Sequence, residues 1–433
     1  MCCSSMIRIL SLCVIFTMNF PCLSTQGSES PLTAFAVIDS ESPALKDVLD
    51  RGDRFGRDLS GLGDVDGDGI PDLVAGTRSD DDGAVDAGAA YVLFLNRDGS
   101  LRRRQKLSAT EGGFDNVFLQ GMDSTFLGYG VAGIGDVNRD GIPDLALTQT
   151  RHASTRGTGA LHVVFLNRDG TVRAQKTTPG VPGFGLASLG DLDKDGRVEL
   201  AACAPDASDG GPLRGAIVIY SVNRDGSVTE RQRISSTAGG FSQGLQDGDQ
   251  FGGRDVAVLG DLDGNGVPDL AVGAFGADEG RGAVWILLLN RRLEVINKTR
   301  IGQGTPELAF NLEPQDNFGH ALVGLGDLDG DSVGDLMTGA PRDDAAGIDG
   351  GSLIVLFLNT DGSLKASRKI TDREELFPIN LPPGGRFGRS LGLVGDVAEN
   401  ESLCVAVGGG AGRTGSIYTL FLDPKKLGIK RRK

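Results

Sequence analysis

The chain has 433 residues, 67 of them glycine, with 6% aromatics and a formal charge of −15. That acidity argues against a nucleic-acid partner, and glycine without a Gly-X-Y period excludes collagen. Two or three ordinary domains would fit the length, but a fixed internal period overrides that prior.

Residues 1–25 read as a secretory signal. Arg8 precedes an apolar run from Ile9 to about Phe20, followed by Pro21 and small or polar residues through Gly27. The run is short for a bilayer span and fits a signal's apolar core, with a retained membrane anchor as the alternative. Cys2, Cys3, Cys13 and Cys22 would leave with it. Cys203 and Cys404 remain, too few for a disulfide framework. The segment from Leu32 to Ser40 resembles a lone strand without partners of its own.

A repeat then begins. A Phe-Gly pair opens each unit at Phe55-Gly56, Phe184-Gly185, Phe251-Gly252, Phe318-Gly319 and Phe387-Gly388, and the second unit has Phe126-Leu127-Gly128 instead. A short apolar segment ending in Gly-Asp follows, then an acidic nine-residue loop, an apolar run and a polar loop. Next comes a clear strand such as 89–95 or 283–289, closed by a turn such as Asn96-Arg97-Asp98-Gly99. Asp-Gly between two strand-like runs signals a hairpin. The last strand of each unit is more polar, as an outer edge should be.

No segment has a helical period, so the chain is all-β. Units begin at Asp64, Asp136, Asp191, Asp261, Asp327 and Asp396, 55 to 72 residues apart, which suits four-stranded propeller blades. The sixth unit lacks a fourth strand before the basic tail, residues 424–433. Pairing the 32–40 segment there would close residues 26–423 into a six-bladed β-propeller without open edges; seven blades is the alternative.

The loops carry the chemistry. The first is Asp64-Val65-Asp66-Gly67-Asp68-Gly69-Ile70-Pro71-Asp72. Its oxygen ligands at positions 1, 3, 5 and 9, with glycine at 6 for a sharp turn, suit a hard cation of calcium size, and position 7 would add a backbone carbonyl. The second copy supplies Asp136, Asn138, Asp140, Ile142 and Asp144; the third Asp191, Asp193, Asp195, Arg197 and Glu199. The fourth supplies Asp261, Asp263, Asn265, Val267 and Asp269; the fifth Asp327, Asp329, Asp331, Val333 and Asp335, with Ser332 in place of the turn glycine. The sixth, from Asp396 to Cys404, has lost its ligand set. Four or five calcium ions are expected. The five loops hold 18 carboxylates, so five divalent ions would leave a net charge of roughly −5. Magnesium fits worse, because it demands octahedral geometry and keeps its waters. The ions are expected to be structural, since an empty loop crowds like charges together.

Phe-Gly pairs, Asp-rich loops and endings such as Gly339-Ala340-Pro341 make the chain resemble the FG-GAP repeat family over about residues 33–423. That family includes the N-terminal propeller of integrin α-subunits and secreted relatives. The resemblance implies a calcium-bearing propeller and a role in cell adhesion or in recognising protein or glycan ligands. This sequence shows six units and none of the integrin leg domains, transmembrane helix or cytoplasmic tail, so integrin heterodimer formation does not carry over.

Other motifs yield to the repeat. Arg51-Gly52-Asp53 spells an adhesion tripeptide, but Asp53 stands two before Phe55 as Asp249 and Asp316 stand two before Phe251 and Phe318. The dinucleotide-like spellings at 128–133 and 410–415 open no helix and read as repeat glycines. Of the three histidines, His152, His162 and His320, the second sits in an apolar strand and reads as packed. Asn297-Lys298-Thr299 and Asn400-Glu401-Ser402 are glycan acceptor sequences.

In a four-stranded blade the acidic loops and Asp-Gly turns share one face. Longer loops such as 77–88 and 342–350 occupy the other, where recognition usually sits. Their aspartates suggest an acidic rim facing a basic or metal-bridged partner. The expected function is a secreted or cell-surface, non-catalytic binder of an extracellular protein or glycan, without nucleic acid or stable membrane insertion. The alternatives are an extracellular polysaccharide-active enzyme with a central-channel site, or a structural surface or matrix protein. Arg, Lys, Tyr or His converging on the channel would favour the enzyme, and the sequence shows no such cluster.

Overall fold

The computed structural model describes residues 31–114, 123–151, 159–371, 379, 381–398, 402–410 and 414–427. The signal segment, His152, Asn400 and the end of the basic tail lie outside these residues. The first strand, β1 (Leu32–Ile38), stands alone in sequence. It is followed by β2 (Leu59–Gly63), β3 (Asp72–Thr77), β4 (Ala89–Leu95) and β5 (Leu101–Leu107), an antiparallel sheet in chain order. The second blade is β6 (Val131–Gly135), β7 (Asp144–Gln149), β8 (Ala160–Leu166) and β9 (Val172–Pro179). The third is β10 (Leu186–Gly190), β11 (Val198–Ala204), β12 (Ala216–Val222) and β13 (Val228–Ser235). The fourth is β14 (Phe251–Gly260), β15 (Asp269–Ala274), β16 (Ala283–Leu289) and β17 (Val295–Gly302). The fifth is β18 (Leu322–Gly326), β19 (Asp335–Ala340), β20 (Ser352–Leu358) and β21 (Leu364–Ile370).

The sixth blade has β22 (Ser390–Gly395), β23 (Leu403–Gly409) and β24 (Ser416–Leu422) from its own repeat, and β1 as its outer strand. Leu32 pairs with Leu422 and Ile38 with Ile417, and the Thr33 hydroxyl donates to the Phe421 carbonyl at 3.0 Å. The inner strands β2, β6, β10, β14, β18 and β22 neighbour one another in a closed cycle. The structure is therefore the expected six-bladed all-β propeller, sealed by its N-terminal strand. Among the described residues no helix is long and apolar enough to cross a membrane.

The packing explains the sequence pattern. The third strands, such as β4 and β16, are buried along their whole length because each blade lies between two others. In β4, Tyr91 and Leu93 enter the cluster shared with the sixth blade, while Val92 and Phe94 enter the one shared with the second. Six such clusters fill the six blade–blade interfaces. Cys203 and Cys404 are free and buried in this core.

The Phe-Gly pair is the joint between blades. Phe55, Phe251, Phe318 and Phe387 are buried, and their amides donate back to the carbonyls of Thr414, Arg214, Arg281 and Gly350 of the preceding blade. The residue ahead of each pair, Arg54, Gln250, Asn317 or Arg386, has a positive φ. In the second blade the residue with positive φ is Phe126, at 54°. It is Leu127 whose amide reaches back, to the Ala87 carbonyl. Leu127-Gly128 thus fills the joint within the Phe126-Leu127-Gly128 segment. In the third blade Phe184 is half-buried and packs edge-on against Tyr129 at 5.4 Å.

Inner strands converge on the axis, closely enough at Gly61, Gly133 and Gly324 that a side chain would meet backbone. A Cβ on Gly133 would lie 2.1 Å from the Gly61 carbonyl oxygen, backbone that cannot yield. Gly133→Ala is expected to lower stability by roughly 1–3 kcal/mol, the usual cost of overpacking, read as a fall in melting temperature.

Candidate metal centres and the central channel

The acidic loops join the first and second strands of each blade, on the same face as the hairpin turns that join the third and fourth. The position-1 carboxylate folds the loop onto itself. Asp64 accepts from the amides of Gly67, Asp68 and Gly69 at 2.7, 3.1 and 2.9 Å, Asp327 does the same in its loop, and Asp136, Asp191 and Asp261 accept from the amides at positions 5 and 6. The position-5 side chains of Asp68, Asp140, Asp195, Asn265 and Asp331 each accept from the amide two residues on, at Ile70, Ile142, Arg197, Val267 and Val333. The position-9 carboxylate is buried beneath the loop. One oxygen of Asp72, Asp144, Asp269 and Asp335 accepts from the amide at position 2, Val65, Val137, Leu262 or Leu328. Glu199 reaches Leu192 likewise at 2.9 Å, and its other oxygen accepts from the Ser221 hydroxyl at 2.7 Å.

These turns bring positions 1, 3 and 9 together. One carboxylate oxygen from each of Asp64, Asp66 and Asp72 lies within 4.8 Å of the others, and so do Asp191, Asp193 and Glu199. Asp261, Asp263 and Asp269, and Asp327, Asp329 and Asp335, form the corresponding groups. In the second loop position 3 is the Asn138 amide, so that loop has no third carboxylate at this place. Buried oxygens of Asp66, Asp144 and Asp329 have no hydrogen-bond donor. Converging carboxylates with unsatisfied buried oxygens are a donor set that fits a divalent cation. In the sixth loop Asp396 and Ala398 are described and the next three residues are not.

Outer strands answer the loops with basic side chains. Arg102 pairs with Asp66 and Asp68 at 2.6 and 2.8 Å, and Arg231 with Asp193 at 2.6 Å. Lys365 bridges Asp329 and Asp331 at 2.6 and 2.5 Å, and Arg173 pairs with Asp140. Among the described residues the fourth loop has no such partner.

On the other face the expected acidic rim is largely neutralised. Lys106 pairs with Asp80 and Asp82 at 2.9 and 2.7 Å, Arg233 with Asp209 at 2.7 Å, and Arg300 with Asp278 at 2.5 Å. Lys369 holds Asp343. The Asp53 carboxylate of the tripeptide is buried and accepts from the Asp50 amide at 2.7 Å, as Asp249 and Asp316 do from Gln246 and Glu313. It belongs to the repeat. Buried His162 lies 2.8 Å from the Gln149 side-chain oxygen and 2.9 Å from the Thr177 hydroxyl, packed as expected.

The channel overturns one expectation. Arg57, Tyr129, His320 and Arg389 directly follow the joint glycine of their blades, and Arg254 follows one residue later. All five line the narrow waist of the axis with Asp58 and Asp255. The guanidiniums of Arg254, Arg78 and Arg57 stand 4.9, 5.2 and 5.9 Å from the centre of the Tyr129 ring. Burial pushes the Tyr129 phenol up, but Arg254, Arg57 and Arg78 outweigh it and hold it at about 8. Burial pushes Arg389 down to about 9 and His320 well below its ordinary value, both helped by Arg254. The His320 Nδ1–H donates to the Arg389 carbonyl at 2.8 Å. The cluster was absent from the sequence reading because each repeat contributes a different residue; the recurring position after Phe-Gly was the available signal.

Two measurements test the loop geometry. Ser332 holds a φ of 68° where the other loops have glycine, so Ser332→Gly should raise stability by roughly 0.5–1 kcal/mol, with unfolded-chain entropy offsetting part of the relieved strain. In the metal-free protein burial raises Asp72, Asp144 and Asp335 to about 7 and Asp269 to about 6. A carboxyl raised in the folded state adds stability that is complete below its unfolded value, near 4, and is lost as pH rises to the folded one. In EGTA, stability should therefore fall between about pH 4 and 7, on the order of 1 kcal/mol per loop; denaturant midpoints across that range check it.

Comparison with known proteins agrees with this architecture. The FG-GAP repeat family model matches residues 55–93 and 252–287. Integrin alpha-5 of Xenopus laevis is 32% identical over 171 residues, 36% of this chain and 15% of that protein. Integrin alpha-8 of Homo sapiens is 30% identical over 225 residues, 49% of this chain and 19% of its own length. Integrin alpha-PS2 of Drosophila melanogaster is 30% identical over 240 residues, 51% and 16%. The chain thus matches less than a fifth of the length of each of these relatives. With FG-GAP repeats matched at two places, acidic loops and six blades, the chain forms an FG-GAP-type β-propeller similar to these integrin α-subunit relatives.

Proposed function

We propose that the protein is a secreted or cell-surface recognition module, stabilised by calcium, that binds an extracellular protein or glycan on the face opposite its metal loops. The convergence of three carboxylates in four of the five acidic loops carries the reading. Each loop ties the first strand of a blade to its second, so an ion there would brace the blade. Asp64, Asp66, Asp68 and Asp72, with the Ile70 carbonyl, would hold the first ion, and equivalent positions the others. Calcium suits a site of several carboxylates and carbonyls, and millimolar extracellular concentrations fill even weak sites. The ion would replace internal cations in the loops served by Arg102, Arg173, Arg231 and Lys365. The fourth loop has no such competitor and should fill first.

The recognition reading draws on the integrin relatives and on the long loops mounted on a rigid ring. A second reading, an enzyme acting on an acidic polysaccharide, is favoured by the channel cluster of Arg57, Tyr129, Arg254, His320 and Arg389. Turnover of a polyuronate by the purified protein would select it.

Thermal unfolding of residues 26–433 tests the calcium reading. Millimolar calcium should raise the melting temperature by several degrees over EGTA, since 100-fold saturation of one site adds about 2.7 kcal/mol. Native mass spectrometry should count four or five ions. With no shift and no bound metal, the loops would be turns only, and the adhesion analogy would lose its support.

A further inference from the structure

The mouth of the channel opens, on the face away from the acidic loops, into a cavity of about 530 Å³ lined by Arg57, Arg254, His320, Arg342, Arg386 and Arg389. A second cavity of about 370 Å³ shares Arg57, Arg386 and Arg389 and adds Arg54. In a chain of net charge −15 this is a local excess of positive charge. Arg57 is only 8% exposed, and the buried Nε atoms of Arg57, Arg78 and Arg254 have no hydrogen-bond partner.

Neighbouring acids offset it only in part, with Arg254 and Arg57 both acting on Asp58. Among the described residues Arg57, Arg78, Arg254 and Arg389 form no ion pair, whereas Arg386 on the rim meets Asp349 at 3.2 Å. Asp58 and Asp255 lie at the waist, but they accept from backbone amides. Asp58 takes that of Val131 at 2.8 Å, and Asp255 those of Val256 and Leu322 at 2.9 and 3.1 Å. Burial raises Asp58 to about 7 and Asp255 well above the ordinary carboxylate range. Glu279 on the rim is held by Arg281 at 3.1 Å.

A guanidinium cannot readily shed its proton, and a buried charge without a partner is costly. Its planar fork matches the oxygens of a carboxylate, sulfate or phosphate two at a time. We propose that this arginine-lined basin is an oxyanion-binding site that takes a carboxylate, sulfate or phosphate group, free or carried on a sugar. The Arg57, Arg254 and Arg389 side chains clamp the group and Tyr129 lies beneath it. The cavity exceeds the volume of a single oxyanion, which leaves room for an attached ring. The inference goes beyond the calcium-dependent reading and stands without it, because no acidic-loop residue lines the basin.

Inorganic sulfate, glucuronate and neutral glucose are titrated calorimetrically into the full chain at constant ionic strength with calcium present. Sulfate or glucuronate should bind and glucose should not, and Arg254→Gln and Arg389→Gln should each weaken binding at least about tenfold. Binding of sulfate alone would identify a site for free tetrahedral ions. Tighter binding of glucuronate would identify a carboxylate presented on a saccharide. Each variant removes one of several mutually repelling charges, so its melting temperature in chloride should equal or exceed that of the parent. Should a variant fail to fold, the parent still reports. Bound anion should move the ionisation of Tyr129 upward from near pH 8, seen as phenolate absorbance that Tyr129→Phe abolishes. No heat with either anion and an unmoved tyrosine titration would overturn the proposal.

Discussion

Everything in this structure depends on one constraint: a blade is apolar on both faces and can bury neither alone. Sequence therefore specifies a ring rather than a sheet. Each third strand sends alternate side chains into two different cores, as Tyr91 and Phe94 do on opposite sides of β4. In five of the six joints the buried apolar residue, Phe55, Leu127, Phe251, Phe318 or Phe387, is fixed by its own amide to the blade behind it, so side-chain burial and a backbone hydrogen bond act at the same residue. The sixth blade is complete because β1, from the far end of the chain, donates its outer strand. Chain closure and core completion are a single event, the usual economy of repeat architectures whose units cannot stand alone.

Closure also decides where chemistry can reside. Because every blade runs outward in the same order, the five acidic loops fall on one face, and the residues after the joints fall on the axis. Formal charge hides this division. The acidic loops meet basic outer strands on one face, through Arg102, Arg173, Arg231 and Lys365. Lys106, Arg233, Arg300 and Lys369 do the same for the loops of the other. The arginines at the axis are left with no comparable answer.

How legible each part was follows from the same geometry. Blade number and the acidic loops could be read because they recur in register along the chain, where local spacing carries the signal, and the closing strand because the last unit lacks the strand that every other unit has. The second joint departs from the Phe-Gly spelling, with Leu127 between Phe126 and Gly128. Position there is set by backbone donors, and Leu127 has the amide that reaches Ala87. The rim carboxylates looked free because their partners lie more than twenty residues away on an outer strand, as Arg233 does from Asp209. The channel cluster was invisible for a deeper reason. Arg57, Tyr129, Arg254, His320 and Arg389 are single residues of three types spread over the whole chain, and only ring closure brings them together.

That cluster runs against the rest of the fold. Elsewhere nearly every buried charge is met, either by a backbone amide, as at the position-9 carboxylates, or by an opposite charge, as at Lys106. At the waist three guanidiniums surround one tyrosine, and the two nearby carboxylates are already engaged by amides. Stability alone would favour apolar residues here, as at Leu186 in the third blade, which occupies the equivalent place after its Phe-Gly. A ring held by six apolar interfaces and a closing strand can tolerate such local cost at its centre. Where a fold retains an electrostatic arrangement that its own packing does not need, the arrangement belongs to what the fold binds rather than to what holds it together.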